Sequence, residues 1–159
     1  MLGKIIIGVA VLALCMAAVP VNAAQKVVLP RGYSAWDRSK EKVVTDKNSL
    51  FYGVHYIYAD KKSMTAYKAG GKYPEGSQFV VDYFNIKEEA GKPVKGKKNM
   101  VVLMKKDAKQ TATGGWLFAG FTPDGKHNAT LDPIKNCYEC HLKEAASTDL
   151  VISKFADFR

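Results

Sequence analysis

Cysteine is scarce in this 159-residue chain, at three residues, and histidine is no commoner, also at three. So few thiols and imidazoles argue against a disulfide-dense scaffold, and no second CxxC or HxxxH is present to complete a four-ligand zinc site. Acidic residues are outnumbered, 15 against 24 basic, for a formal charge of +9. The lysines are spread along the chain without a nucleic-acid-binding motif. The charge therefore reads as a solvated basic surface, with a redox partner protein or an anionic membrane face as what it would attract, and not as a nucleic-acid site. After the first twenty residues no segment approaches the roughly 20 apolar residues that a transmembrane helix needs. Repeats and low-complexity linkers are missing too, so a single domain is expected.

The one apolar run lies at the start. Met1 to Lys4 is short and positively charged, Ile5 to Val19 is apolar, and Val21-Asn22-Ala23 fits a small-residue cleavage site before Ala24. Residues 1–23 are expected to be a cleavable secretory signal and residues 24–159 the mature domain. Cys15 is preceded by bulky Leu14 where a lipoprotein signal takes a small residue, so lipidation is the lesser reading. Export removes Cys15 and leaves two cysteines.

Those two stand in the run Cys137-Tyr138-Glu139-Cys140-His141. Thiols at this spacing add to the two vinyl groups of a haem, and the histidine that follows is placed to ligate iron from one side. One covalently bound haem c is therefore expected, with Cys137 and Cys140 as thioethers and His141 as the proximal ligand. A thioredoxin-like CxxC opens a helix within a βαβ unit, which this chain does not spell; a local disulfide in an oxidising compartment is the plainest alternative. The run resembles that of bacterial c-type cytochromes, whose haem is attached outside the cytoplasm. That resemblance agrees with export and implies a periplasmic address.

The hydrophobic pattern is mostly of period two. Leu50 to Tyr58, Ser77 to Asn85, Asn99 to Lys105, Gly115 to Phe121 and Asp149 to Ser153 read as about five strands. Lys61 to Ala69 reads as a helix ended by Gly70-Gly71, Trp36 to Val43 as another, Ala90 to Lys98 as a mobile loop, and Thr122 to Gly125 as a turn. The expected class is mainly β (α+β): a small antiparallel sheet with a few short helices, carrying its haem segment at the C-terminal end. Phe79, Val81 and Tyr83 fall on one face of a strand and Met100, Val102 and Met104 on one face of the next, with His55 set beside Ile57 but one residue out of phase. Trp116 is expected to be structural and His127 to lie at the surface.

Ordinary small cytochromes c are helical with CxxCH near the N-terminus, and the four-helix cytochromes c′ have long amphipathic helices. This chain has neither pattern. It resembles the cytochrome P-460 family, which includes cytochrome c′-beta, through Leu29-Pro30-Arg31-Gly32-Tyr33-Ser34-Ala35-Trp36, Tyr58-Ala59-Asp60 and the segment to Tyr67. The likeness continues through Gly71 to Ser77, Lys106-Asp107, Gly115-Trp116, the CxxCH run and Thr148 to Ser153.

The resemblance implies a division by haem surroundings. Members that oxidise hydroxylamine carry a lysine cross-linked to the porphyrin, a distal carboxylate and a distal arginine. Alignment puts Val81 at the first position, Val102 at the second and His55 at the third. Lys72 and Lys87 flank the strand out of register. A dry distal pocket of His55, Phe79, Val81, Tyr83 and Val102, with no general base and no catalytic residue, is thus expected. It resembles that of cytochrome c′-beta, whose five-coordinate haem binds nitric oxide or carbon monoxide. The resemblance also implies a homodimer. Two alternatives stay open: hydroxylamine or nitric oxide oxidation, and electron transfer with His55, or the Met100 or Met104 thioether, as a sixth ligand.

Overall fold

The computed structural model describes residues 27–70, 72–128 and 130–159. The signal expected over 1–23 lies outside them. Six strands form one antiparallel sheet: β1 (Asp37–Arg38), β2 (Lys42–Val44), β3 (Gly53–Ala59), β4 (Gln78–Glu89), β5 (Lys92–Lys106) and β6 (Trp116–Phe121). The order is β1-β3-β4-β5-β6, with β2 also pairing to β3. Two helices accompany it, α1 (Lys61–Ala69) and α2 (Glu139–Ala145). The expected class, an antiparallel sheet with few short helices, is the one observed.

Local chemistry accounts for α1. The Asp60 carboxylate accepts the Ser63 N–H at 2.7 Å and left-handed Gly70 ends the helix, which matches the limits read from the sequence. Alternation accounts for the four longer strands. Their side chains divide between two apolar layers. Ile57, Ala59, Phe79, Met104, Trp116 and Phe118 face α1, Cys137, Leu150 and Val151 in front. Tyr58, Val80, Val101, Leu103, Ala119 and Phe121 face the N-terminal segment, including Leu29, Tyr33 and Trp36, behind. Trp116 and Phe121 are fully buried. Each large apolar side chain so covered contributes about 1.5–3 kcal/mol.

Four expectations are corrected. Trp36 to Val43 forms no helix; β1 and β2 within and beside it pair with β3, whose edge offers backbone partners that a solvated helix would forgo. Ala90 to Lys98 is no mobile loop. Ala90 and Gly91 both have positive φ, 51° and 74°, as a two-residue hairpin turn requires, and pairing resumes at Glu89 with Lys92. Asp149 to Ser153 is no strand, because Asp149 and Leu150 sit in the left-handed region at φ 51° and 65° and curl the chain back onto α2; Leu150 and Val151 are buried in the resulting loop and Ile152 is exposed. His55 and Ile57, two residues apart, are in phase and face the same cavity. The Thr122 turn closes as expected, with the Gly125 N–H on the Thr122 carbonyl at 2.9 Å.

One glycine decides how the C-terminal segment meets the sheet. Ile57, Val81, Val102 and Gly120 stand side by side across β3 to β6. A Cβ on Gly120 would come within 2.0 Å of Leu131 Cδ1. Its absence lets Leu131 lie against the front layer and leads the chain into the segment that carries the cysteines.

Candidate functional site

Asp132 starts that segment. Its carboxylate accepts the N–H groups of Ile134 and Lys135 at 2.8 and 3.0 Å, with Pro133 at the first helical position. Pro133–Tyr138 winds as a π-helical turn and passes directly into α2. Wide turns of this kind recur at functional sites. In a helix, positions i, i+3 and i+4 share a face. Cys137, Cys140 and His141 are so spaced, and all three line one cavity of about 290 Å³ between this segment and the front of the sheet.

The sheet supplies the opposite wall from Ile57, Phe79, Val81, Val102, Met104 and Phe118. Val81 and Val102 are direct cross-strand neighbours there. Phe51, Val44, Val151 and Ile152 add apolar surface, and Lys42, Ser49, Asn136 and Ser153 add polar groups. The cavity is thus less uniformly dry than expected. His55, Phe79, Val81, Tyr83, Val102 and Met104, each singled out from the sequence, are brought together with the CxxCH residues. Met100 is not: it stands opposite Tyr83 where the β4–β5 register breaks, outside the lining. Lys72 and Lys87 are exposed and also outside it. Trp116 is buried and His127 exposed, as expected.

His141 is held on one side. Its Nδ1–H donates to the Leu150 carbonyl at 2.6 Å, leaving Nε2 with the lone pair. Burial pushes its pKa down and the Leu150 carbonyl pulls the other way. The Phe118 ring packs 5.0 Å from the imidazole, centroid to centroid. Cys137 is buried, Cys140 exposed, and both are free thiols. Burial, with smaller contributions from Asp132 and Cys140, pushes the Cys137 thiol up to about 11.

The other histidine of the cavity lies in the opposite state. His55 Nδ1 is buried without a protein partner. Its ring stacks at a tilt on Tyr83, 5.2 Å between centroids, and Lys42 is its neighbour on β2. Burial first and the Lys42 charge second push its pKa down to about 4, against a weaker pull from Asp157. It is therefore neutral at pH 7. Lys42 in turn pairs with Asp157 at 2.9 Å. Burial, together with the two thiols beside it, raises the Tyr83 hydroxyl above its ordinary value.

The donor set fits a haem. A flat apolar macrocycle with two carboxylates needs apolar walls, two thiols and one axial nitrogen on a single side, and a cation within reach. The cavity has all of these, Lys42 being the cation, and the unpartnered His55 Nδ1 is a buried polar atom awaiting a partner. Among the described residues no group of three or more His, Cys, Asp or Glu side chains is arranged to hold a bare metal ion, so the zinc alternative lacks ligands.

Sequence reasoning missed Lys42, Phe118 and the Leu150 carbonyl. Phe118 was within reach, two residues from Trp116 on an alternating strand. Lys42 was hidden by the helix expected around it. A backbone carbonyl leaves no trace in side-chain pattern. The helical nature of the CxxCH segment was also missed, although Asp132-Pro133 spells its start.

A family model described as cytochrome P-460 matches residues 30–153. No curated protein matches the chain.

Proposed function

Because the chain belongs to the cytochrome P-460 family, and so to c-type haem proteins, we propose that it is a periplasmic monohaem cytochrome of the c′-beta kind that binds small diatomic gases such as nitric oxide or carbon monoxide. Cys137 and Cys140 would hold the haem covalently and His141 Nε2 would take one axial position. When bound, the haem would supply an iron able to take a small gas.

The observation that carries this reading is the absence of a carboxylate from the cavity lining among the described residues. Val81 and Val102 stand where the resemblance places the cross-linking lysine and the proton-accepting carboxylate of hydroxylamine-oxidising members. An aliphatic pair neither links to a porphyrin nor takes a proton. His55, held near 4, is a poor base at neutral pH but offers a neutral hydrogen bond. Phe79, Val81, Val102 and Phe118 exclude water and favour apolar ligands.

Met104 on the cavity wall favours a second reading, electron transfer with a thioether as sixth ligand. Its side chain is 6% exposed and packs in the front layer, which supports a packing role. The basic surface supports docking to an acidic redox protein, and the sheet edges support a homodimer.

The test is the optical spectrum of the ferrous protein, produced in cells that attach c-type haem, with and without nitric oxide. A high-spin band that moves on adding the gas supports the proposal. Sharp low-spin bands indifferent to gas overturn it in favour of electron transfer, and a strongly red-shifted ferrous band overturns it in favour of a modified porphyrin.

A further inference from the structure

The Leu150 carbonyl reaches His141 only because two consecutive residues, neither of them glycine, adopt left-handed backbone: Asp149 at φ 51° and Leu150 at φ 65°. Such conformations persist where the surroundings over-determine them. Part of the restraint is local. The Leu150 N–H reaches the Ala145 carbonyl at 2.9 Å, and the Thr148 hydroxyl lies 3.1 Å from the Ala145 carbonyl and 2.9 Å from that of Val151. The rest comes from the Asp149 carboxylate. One oxygen pairs with Lys106 Nζ at 2.6 Å and the other accepts the Tyr73 N–H at 3.1 Å. Both charged side chains are largely covered, at 17% and 14% exposure. Lys106 is itself seated on β5, with its Nζ 4.7 Å from the centre of the buried Trp116 ring.

One carboxylate thus ties the turn behind the axial histidine to β5 and to the segment leading into β4. We propose that Asp149, latched by Lys106, is a positioning residue for His141: it holds the Leu150 carbonyl on Nδ1–H, and so fixes the tautomer, orientation and basicity of the nitrogen offered to iron. A partner on the far ring nitrogen raises the donor strength of a ligating imidazole. The axial bond is therefore set by an ion pair that touches neither the iron nor the ring. This rests on the haem reading given above.

The experiment compares the ferrous holoprotein with Asp149→Ala, Asp149→Asn and Lys106→Met, reading the iron–histidine stretch by resonance Raman and the reduction potential. Asp149→Ala removes both anchors, and the stretch is expected to fall and the potential to rise. Asp149→Asn keeps an acceptor for Tyr73 and tolerates left-handed backbone, so it and Lys106→Met, which isolate the ion pair, are expected to shift both readouts the same way by less. Should Asp149→Ala fail to fold, these two decide. Variants that melt earlier yet keep the wild-type stretch and potential overturn the latch and leave a purely structural ion pair. A wild-type protein with no iron–histidine band overturns the open-site reading instead, and the latch is then judged on potential alone.

Discussion

His55 makes a prediction whose sign and size follow from its surroundings. In the folded chain its pKa is lowered from 6.5 to about 4, chiefly by burial. A group that resists protonation in the fold but not in the unfolded chain destabilises the fold as acid is added. Its contribution to stability is full above pH 6.5, falls as pH drops from about 6.5 to about 4, and is flat below, where both states carry the proton. At about 1.4 kcal/mol per unit the ceiling is about 3 kcal/mol; solvent screening of a ring that is not fully buried reduces this to about 1–2 kcal/mol. Other carboxylates begin to take up protons toward the acid end of this range, so the quantity to measure is a difference. Urea unfolding of the holoprotein and of His55→Gln, at half-unit intervals from pH 7.5 to 3.5, is expected to show the wild type losing about 1–2 kcal/mol more than the variant between pH 6.5 and 4. Parallel curves would refute the reasoning, since they would mean that His55 is as free to protonate in the fold as in the unfolded chain.

Three further outcomes follow from the site. Phe118→Ala removes a ring that is 6% exposed and rests on His141; the expected cost is about 3–5 kcal/mol, read from denaturant midpoints, with a broadened His141 ring signal in the NMR spectrum. Cys137→Ala with Cys140→Ala is expected to leave a haem that acid–organic solvent extracts, whereas the wild-type haem stays with the chain on a denaturing gel. Gly120→Ala drives a Cβ into Leu131 and is expected to destabilise by about 1–3 kcal/mol, with Leu131→Ala on the same chain recovering part of the loss in thermal melts.

Much of the site was legible because its chemistry is local. The run Cys137 to His141 names its chemistry by residue type and spacing alone, two thiols that can add to vinyl groups followed at once by one imidazole. Asp60 and Gly70 bound α1 through contacts within a few residues. Alternation marks which side chains of one strand share a face, and so grouped Phe79 with Val81 and Tyr83; Val102 and His55 joined them only through the family resemblance.

What the tertiary structure alone decided depends on partners far away in the chain. Trp36 to Val44 becomes β1 and β2 because β3 presents an open edge, and only then does Lys42 arrive beside His55. Ala90 to Lys98 becomes a hairpin because β4 and β5 pair outward from Glu89 and Lys92 across a two-residue turn, the register shifting only farther along, around Phe84. Asp149 and Leu150 take a conformation that their own side chains disfavour, because Lys106 and Tyr73 hold the carboxylate from 43 and 76 residues away. Residue type and spacing determine which groups are available to a haem. The direction in which a carbonyl points, the charge state of a buried imidazole and the wall that faces His141 are set by long-range packing, since each is a property of surroundings that no single segment contains.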